Sequence, residues 1–338
     1  MKRETAGSVE KTQQTEVAKR PKRPKKIKEQ REKIELKGRA NAPHTIADAL
    51  RATEKFLGPN LTWELRREFK ALESKIPKFR AQLPKLADVI KSIAQKGGVD
   101  KINHFLKENG FSIRLKDPGN EMAISAASVL KMPVTWHNSH EAVKKTISIR
   151  SRISDRWKEV PAVTMINVKD IYEIPNHDHP IVRLKTNSND TVYITKYDKP
   201  PPKDSMGLHQ LASKWQKQIK PSAKKTIGSV PKYNGEVTFP MVDFQRSGDI
   251  TELLGASPKE KGLVVIDQAK YEHILKMNEK GAVAKAASAL MLKLRGGGGG
   301  PIPVHIDGPF MVWFERKGII PFTAYITEND MKAPKDLK

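Results

Sequence analysis

The sequence has no cysteine. That excludes a disulfide framework and thiol catalysis, and it fits a reducing compartment. No apolar run reaches the roughly 18 residues that a membrane helix needs, so no membrane partner is expected. The first residues, MKRETAGSVEKTQQ, include no apolar stretch, and no secretory signal is expected there. A G-x-S-x-G nucleophile elbow is missing, and the glycines at 296–300 lack the Lys and Ser/Thr that would complete a P-loop. The His pair in PNHDHP (175–180) has no further ligands at recognised spacing, so His177 and His179 read as a polar turn between strands. Nothing in the sequence argues for an enzyme, a cofactor or a metal.

Negative charge is also scarce. Against 62 Lys and Arg stand 38 Asp and Glu, a net charge of +24. Residues 1–40 hold 14 basic and 6 acidic side chains, residues 41–100 hold 11 and 7, and the rest hold 37 and 25. The excess is densest at the start but runs through the whole chain. A balance of this kind points to a polyanionic partner, nucleic acid first among them. Within the first 40 residues apolar side chains are too few to bury a core, so this arm is expected to be disordered when free. Its stretch KRPKRPKKIK (19–28) interleaves proline with Lys19, Arg20, Lys22, Arg23, Lys25, Lys26 and Lys28. Proline keeps such a run extended, and its cations can track phosphates or serve as a nuclear import signal. A solvated spacer is the alternative.

Beyond the arm, residues 41–330 read as one domain, followed by a short tail at 331–338. Leu61, Leu65, Phe69, Leu72 and Ile76 recur at helical spacing, as do Leu86, Val89, Ile90 and Ile93 ahead of Gly97-Gly98. Ile102, Phe105 and Leu106 continue the pattern up to Gly110. From about residue 120 the period changes. VPAVTMI (160–166), PIVRLKT (180–186) and TVYITKY (191–197) are strand-like, with NSND (187–190) as a turn. Leu208, Leu211, Trp215 and Ile219 mark a helix. EVTFPMVDF (236–244) reads as a strand and DITELLG (249–255) as a short helix capped by Asp249 and closed by Gly255. GLVVI, PVHI, PFMVWFER and FTAYIT complete a β-rich end. Helices first and strands after suggest an α+β fold.

Several of these segments, in this order, resemble the serpin family. INHFLKENGFSIRL (102–115) resembles the helix that overlies the family's central sheet, and SVLKMPVTW (128–136) the strand ending in a sheet-top tryptophan, here Trp136. EVTFPMVDFQRSGDITELLGAS, IDQAKYEHILKMNEKGAVAKAASAL and PVHIDGPFMVWFERKGIIPFTAYI resemble the strand-to-helix segment, the strand entering the reactive-loop hinge and the C-terminus. The resemblance covers about residues 100–330. It implies a serpin-like α+β fold with a shortened helical N-terminal part and a mixed, largely antiparallel β-rich C-terminal part. Ser128 stands where the family usually has asparagine.

The resemblance gives NEKGAVAKAASALMLKLRGGGGG (278–300) a role. It makes Glu279 and Gly281 the base of a reactive-loop hinge that continues through Ala282, Ala284, Ala286 and Ser288. Those four lie on one alternating face and are all small, as a strand entering a sheet interior must be. Val283, Lys285 and Ala287 fall on the other face. The family's spacing places the scissile bond at Arg295-Gly296, which suits a trypsin-like serine protease. Gly296–Gly300 would leave that loop without a preorganised shape. The reading preferred from sequence is a non-enzymatic serpin-fold protein with a basic arm. It would bind nucleic acid or sit beside other subunits in a nucleoprotein or virion assembly, in the nucleus or a virion, without inhibiting proteases. The alternative is an intracellular serine protease inhibitor cut after Arg295.

Overall fold

The computed structural model describes residues 38–137, 142–150, 156–188, 190–202, 204, 206–222, 233–261, 264–281 and 302–334, except for the side chains of residues 68 and 220–222. Strand β1 (Arg39–Asn41) leads into helix α1 (Pro43–Leu57). Then come β2 (Trp63–Glu64), the short helices α2 (Lys70–Glu73) and α3 (Ile76–Gln82), strand β3 (Ile90–Lys96), helix α4 (Asp100–Glu108) and strand β4 (Ile124–Leu130). Strands β5 (Ala142–Arg150), β6 (Trp157–Met165), β7 (Ile171–Tyr172), β8 (Ile181–Lys185) and β9 (Thr191–Lys196) precede helix α5 (Gly207–Ser222). The chain closes with β10 (Tyr233–Pro240), β11 (Val242–Asp249), β12 (Ser257–Pro258), β13 (Lys270–Met277), β14 (Ile302–His305), β15 (Phe310–Arg316) and β16 (Ile319–Ile326). The α+β class expected from sequence is the class observed.

The largest sheet has the order β1-β16-β15-β9-β8-β7. Its central strands are apolar on both faces. In β15, Phe310, Val312 and Phe314 enter the main core, while Met311 and Trp313 enter a second core beneath α5. Every residue of β16 is buried, with Phe322, Ala324 and Ile326 on the main-core side and Tyr325 under α5. The helix covers that face with Leu208, Trp215 and Ile219 from the stripe read in the sequence and with Ala212, while Leu211 of that stripe is only partly buried. Each such aliphatic side chain contributes roughly 1.5–3 kcal/mol on burial. A second sheet, β14-β10-β6-β5, packs against the same main core. Two further strand pairs, β3–β4 and β11–β13, are not joined to each other by a ladder.

Several expectations give way to tertiary pairing. Leu86 to Gly98 is not a helix: Ile90–Lys96 is a strand that pairs residue for residue with Leu130–Ile124. Val89, Ile90 and Ile93 are β-branched and suit either reading, and the partner strand decides. Helix is likewise interrupted over 61–76, because Trp63–Glu64 pairs with Ser257–Pro258. EVTFPMVDF is two strands in different sheets. Pro240 has no N–H to prolong the ladder, and the chain passes from the second sheet to β11. Residues 251–255 form turns, not a helix. Asp249 ends β11 opposite Lys270, and Gly255 supplies a left-handed residue at φ 77°. Residues 264–266 of GLVVI form no strand. The folded body starts by Gly38, and Met331 is buried, so packing extends slightly past both boundaries drawn from sequence.

Trp136 is fully buried in the main core, edge-on to Phe239 with ring centroids 6.2 Å apart. Replacing it with alanine should cost about 3–5 kcal/mol of stability. A lower urea midpoint at unchanged slope is the expected result.

Candidate functional site at the seam between two half-sheets

Strands β4 and β13 share no ladder, and the segments that follow them meet at Gly281. After β13, Asn278 and Gly281 pair across a two-residue turn. Asn278 N donates to Gly281 O at 3.0 Å, Gly281 N donates to Asn278 O at 3.3 Å, and Lys280 N donates to Asn278 Oδ1 at 3.0 Å. On its other side Gly281 bridges Thr135, also antiparallel. One residue thus pairs with the segments that follow β4 and β13. It has to be glycine: its φ is 105°, and a Cβ there would run into Val134 O and the Cα of Thr135.

The segment after β4 holds this junction. Trp136 Nε1 donates to Asn278 O at 2.8 Å, and Trp136 bridges Thr186. His137 N donates to Lys185 O at 3.0 Å, and Asn187 N donates to Thr135 O at 2.9 Å. Glu279 is buried beside it, with Oε1 3.2 Å from Lys144 Nζ. Its Oε2 has no donor among the described residues. Lys144 lies 135 positions away on β5, and no sequence signal links the two.

One face of the seam packs on α1, where Ser128 Oγ donates to the buried Asp48 Oδ2 at 2.9 Å. On the other face α4 covers Ala127 and Val129 through Ile102 and Leu106. The irregular run 111–116 then reaches β13. Ser112 N, Ser112 Oγ and Ile113 N all donate to Glu272, at 2.6, 2.8 and 2.9 Å, and Gln245 Nε2 adds a further bond at 2.5 Å. Burial opposes ionisation of Glu272, but these donors outweigh it and hold the carboxyl below its ordinary value. Next to it, His273 stacks on Tyr271 at 4.9 Å, and burial lowers its pKa to about 4, so it is neutral at pH 7.

Of the hinge residues expected from sequence, Glu279 and Gly281 are therefore placed at the junction. Ala282, Ala284, Ala286, Ser288, Arg295 and Gly296 lie outside the described residues, as do Lys19, Arg20, Lys22, Arg23, Lys25, Lys26 and Lys28. The histidine pair serves structure: His177 Nε2 bonds Thr195 Oγ1 at 2.7 Å and stacks on Trp215, while His179 Nε2 bonds Asp198 Oδ2 at 2.8 Å. Among the described residues no cluster of His, Asp and Glu is arranged to hold a metal, and no helix is long and apolar enough to cross a membrane.

No protein-family model matches the chain, and no curated protein matches it. Solved structures do. The crystal structure of human glycosylated kallistatin superposes with a TM-score of 0.55 at 12% identity, over 91% of this chain and 95% of kallistatin. Maspin superposes with a TM-score of 0.51 at 13% identity, over 88% of this chain and 94% of maspin. Both are serpins, and the fold of this chain is serpin-like. The likeness reaches beyond the stretch 100–330 that carried the resemblance in sequence, so the helical part 41–100 shares in the fold.

The contribution of Glu272 is complete above the ordinary carboxyl value of 4.5 and is lost as pH falls through the lower folded value. Glu272→Ala should speed hydrogen exchange at the amides of Ser112 and Ile113 by about tenfold or more at neutral pH, since each loses a charge-assisted bond. Exchange along β15 and β16 should not change. The difference between variant and parent should shrink as pH falls below 4.5 toward the lowered folded value.

Proposed function

We propose that this is a non-enzymatic serpin-fold protein that binds nucleic acid, as a component of a nucleoprotein or virion assembly. The supporting observation is the charge of +24, of which only +8 belongs to residues 1–40. The arm contributes Lys19 to Lys28, interleaved with proline in the sequence, and residues 41–338 carry the remaining net charge of +16. Phosphates would supply the affinity, without preference for sequence.

The seam favours a second reading, inhibition of a trypsin-like protease. A chain continuing from Gly281 in the register of its two bridges would set Ala282 between Met277 and Val134. Ala284 would fall between Leu275 and Met132, Ala286 between His273 and Leu130, and Ser288 between Tyr271 and Ser128. Met277, Leu275, Val134, Met132 and Leu130 belong to the main core or pack against it. The small face of the hinge would thus meet the core, and Lys285 would point outward. To enter fully, the strand would have to displace the 111–113 clamp on Glu272.

Two experiments separate the readings. If the arm engages about 6 phosphates, affinity for DNA should fall on the order of 10³-fold between 50 and 200 mM salt. Replacing its seven cations with glutamine should flatten that salt dependence; an unchanged slope would remove the arm from the reading. Brief trypsin treatment should cut at Lys293 or Arg295 beside the glycines. Under the nucleic-acid reading the melting temperature then moves little and no covalent protease complex forms. A rise of tens of degrees, or a covalent complex, would make inhibition the function.

A further inference from the structure

We infer that His44 and His209 form an acid-sensitive joint, at which protonation of the buried rings loosens the start of α5 from α1 and α3. The joint stands apart from both readings of function above and depends on neither.

Three helices meet at these rings. His44 sits in the first turn of α1, His209 in the first turn of α5, and Phe79 on α3. Phe79 is edge-on to both imidazoles, with ring centroids 5.0 Å from His44 and 5.4 Å from His209. The two imidazoles are 6.3 Å apart, also edge-on. His44 is fully buried. The chain entering α5 serves two cores at this point. Met206 packs in the core that holds Ala47, Leu50 and Phe79, whereas Leu208 packs in the core beneath α5. A change at this turn is therefore felt on both sides.

The polar groups around the rings suit the neutral form. His44 Nε2 lies 2.8 Å from Gln82 Oε1, an acceptor, so Nε2 carries the hydrogen and Nδ1 is bare. Both Nδ1 atoms, of His44 and of His209, are buried without a hydrogen-bond partner among the described residues. A charged imidazole has a hydrogen on each nitrogen, so either ring would then bury an N–H with no acceptor. Burial is the largest cause lowering both pKa values, His209 to about 4. Lys78 opposes charge on both rings, and Lys75 and His44 oppose it on His209. The nearby acids are engaged elsewhere. Asp48 on α1 bonds Arg51 and Ser128, Glu54 on α1 bonds Arg80 of α3, and Asp204 ahead of α5 accepts from Met206 N. Phenylalanine could fill either place without burying an unpaired nitrogen. What imidazole adds is a response to protons.

The direction follows from these values. A histidine whose folded pKa lies below 6.5 contributes stability that is complete above pH 6.5, is lost as pH falls, and levels off near the folded value. For His209 alone, an opened joint titrating at 6.5 against a closed one at about 4 favours opening roughly thirtyfold more at pH 5 than at pH 7.5.

Hydrogen exchange of the full chain, corrected for the intrinsic effect of pH, tests this at the amides of residues 210–214. Their protection should fall roughly thirtyfold from pH 7.5 to 5, while β15 and β16 keep theirs. His44→Gln with His209→Gln should remove the fall, because glutamine stays neutral. His177 also touches α5, by stacking on Trp215, and its pKa is likewise about 4. His177→Gln should leave the fall in place. Protection that does not change with pH in the parent, or a fall that survives the double substitution or vanishes with His177→Gln, would overturn the joint. Imidazole proton resonances of the parent give a check that needs no variant. Both rings should remain neutral at pH 5.5, and titration of either near 6.5 in the folded protein would refute the inference.

Discussion

The structure depends on how one buried indole is satisfied. Trp136 lies in the main core, and its N–H has an acceptor there, which avoids the roughly 1–3 kcal/mol cost of an unpaired buried donor. It finds Asn278 O at 2.8 Å, at the exit of β13. That bond draws the end of β13 against the segment after β4, although β4 and β13 share no ladder. The same segment bonds Lys185 O and Asn187 N at the edge of the large sheet. The Trp136 side chain and the backbone on either side of it therefore tie three parts of the molecule together, and Gly281 fits there only because it lacks a Cβ.

From that junction the architecture divides into a stiff part and a divided part. The large sheet is buried on both faces, and its strands β15 and β16 read in sequence as unbroken apolar runs. The seam is different. Polar contacts hold its two strand pairs: α1 bonds β4 through Asp48 and Ser128, and the run 111–116 bonds β13 through Glu272. Hydrogen bonds to a charged carboxylate are directional and can be exchanged with water. Packed aromatic cores cannot be exchanged in this way. The division places the more separable contacts at β4 and β13 and the less separable ones in the large sheet.

Much of the fold was legible. The alternating apolar pattern of Val192 and Ile194, the double-sided run of Phe310 to Phe314 and the stripe Leu208, Leu211, Trp215 and Ile219 name their elements without a structure. The misreadings share one cause. Ile90, Ile93 and Val89 fit a helix by spacing and a strand by β-branching, and only β4 as a partner decides between them. Leu61 and Leu65 are buried as the spacing suggested, but Trp63 between them pairs with Pro258, nearly two hundred residues later. At the site, Trp136, Glu279 and Gly281 were identifiable from their resemblance to a known pattern. Lys144, Glu272 and Asn278 were not, because their roles arise from long-range bonds that leave no local signal.

The sequence by itself determined the chemistry of this protein. It carries a large positive charge, has no thiol, lacks the common catalytic motifs and includes a small-residue stretch fit to enter a sheet. Composition and alternation are local properties, and they survive without knowledge of what lies across the chain. Only the tertiary structure decided that β4 and β13 share no ladder, that Gly281 pairs with the segments following both and that Trp157 alone of five tryptophans is largely exposed. The first two depend on residues about 150 positions apart in sequence, and the third on how the strands around Trp157 pack. Backbone hydrogen bonds and burial are satisfied in space, and a linear pattern does not say which of several chemically adequate partners will be near enough to satisfy them.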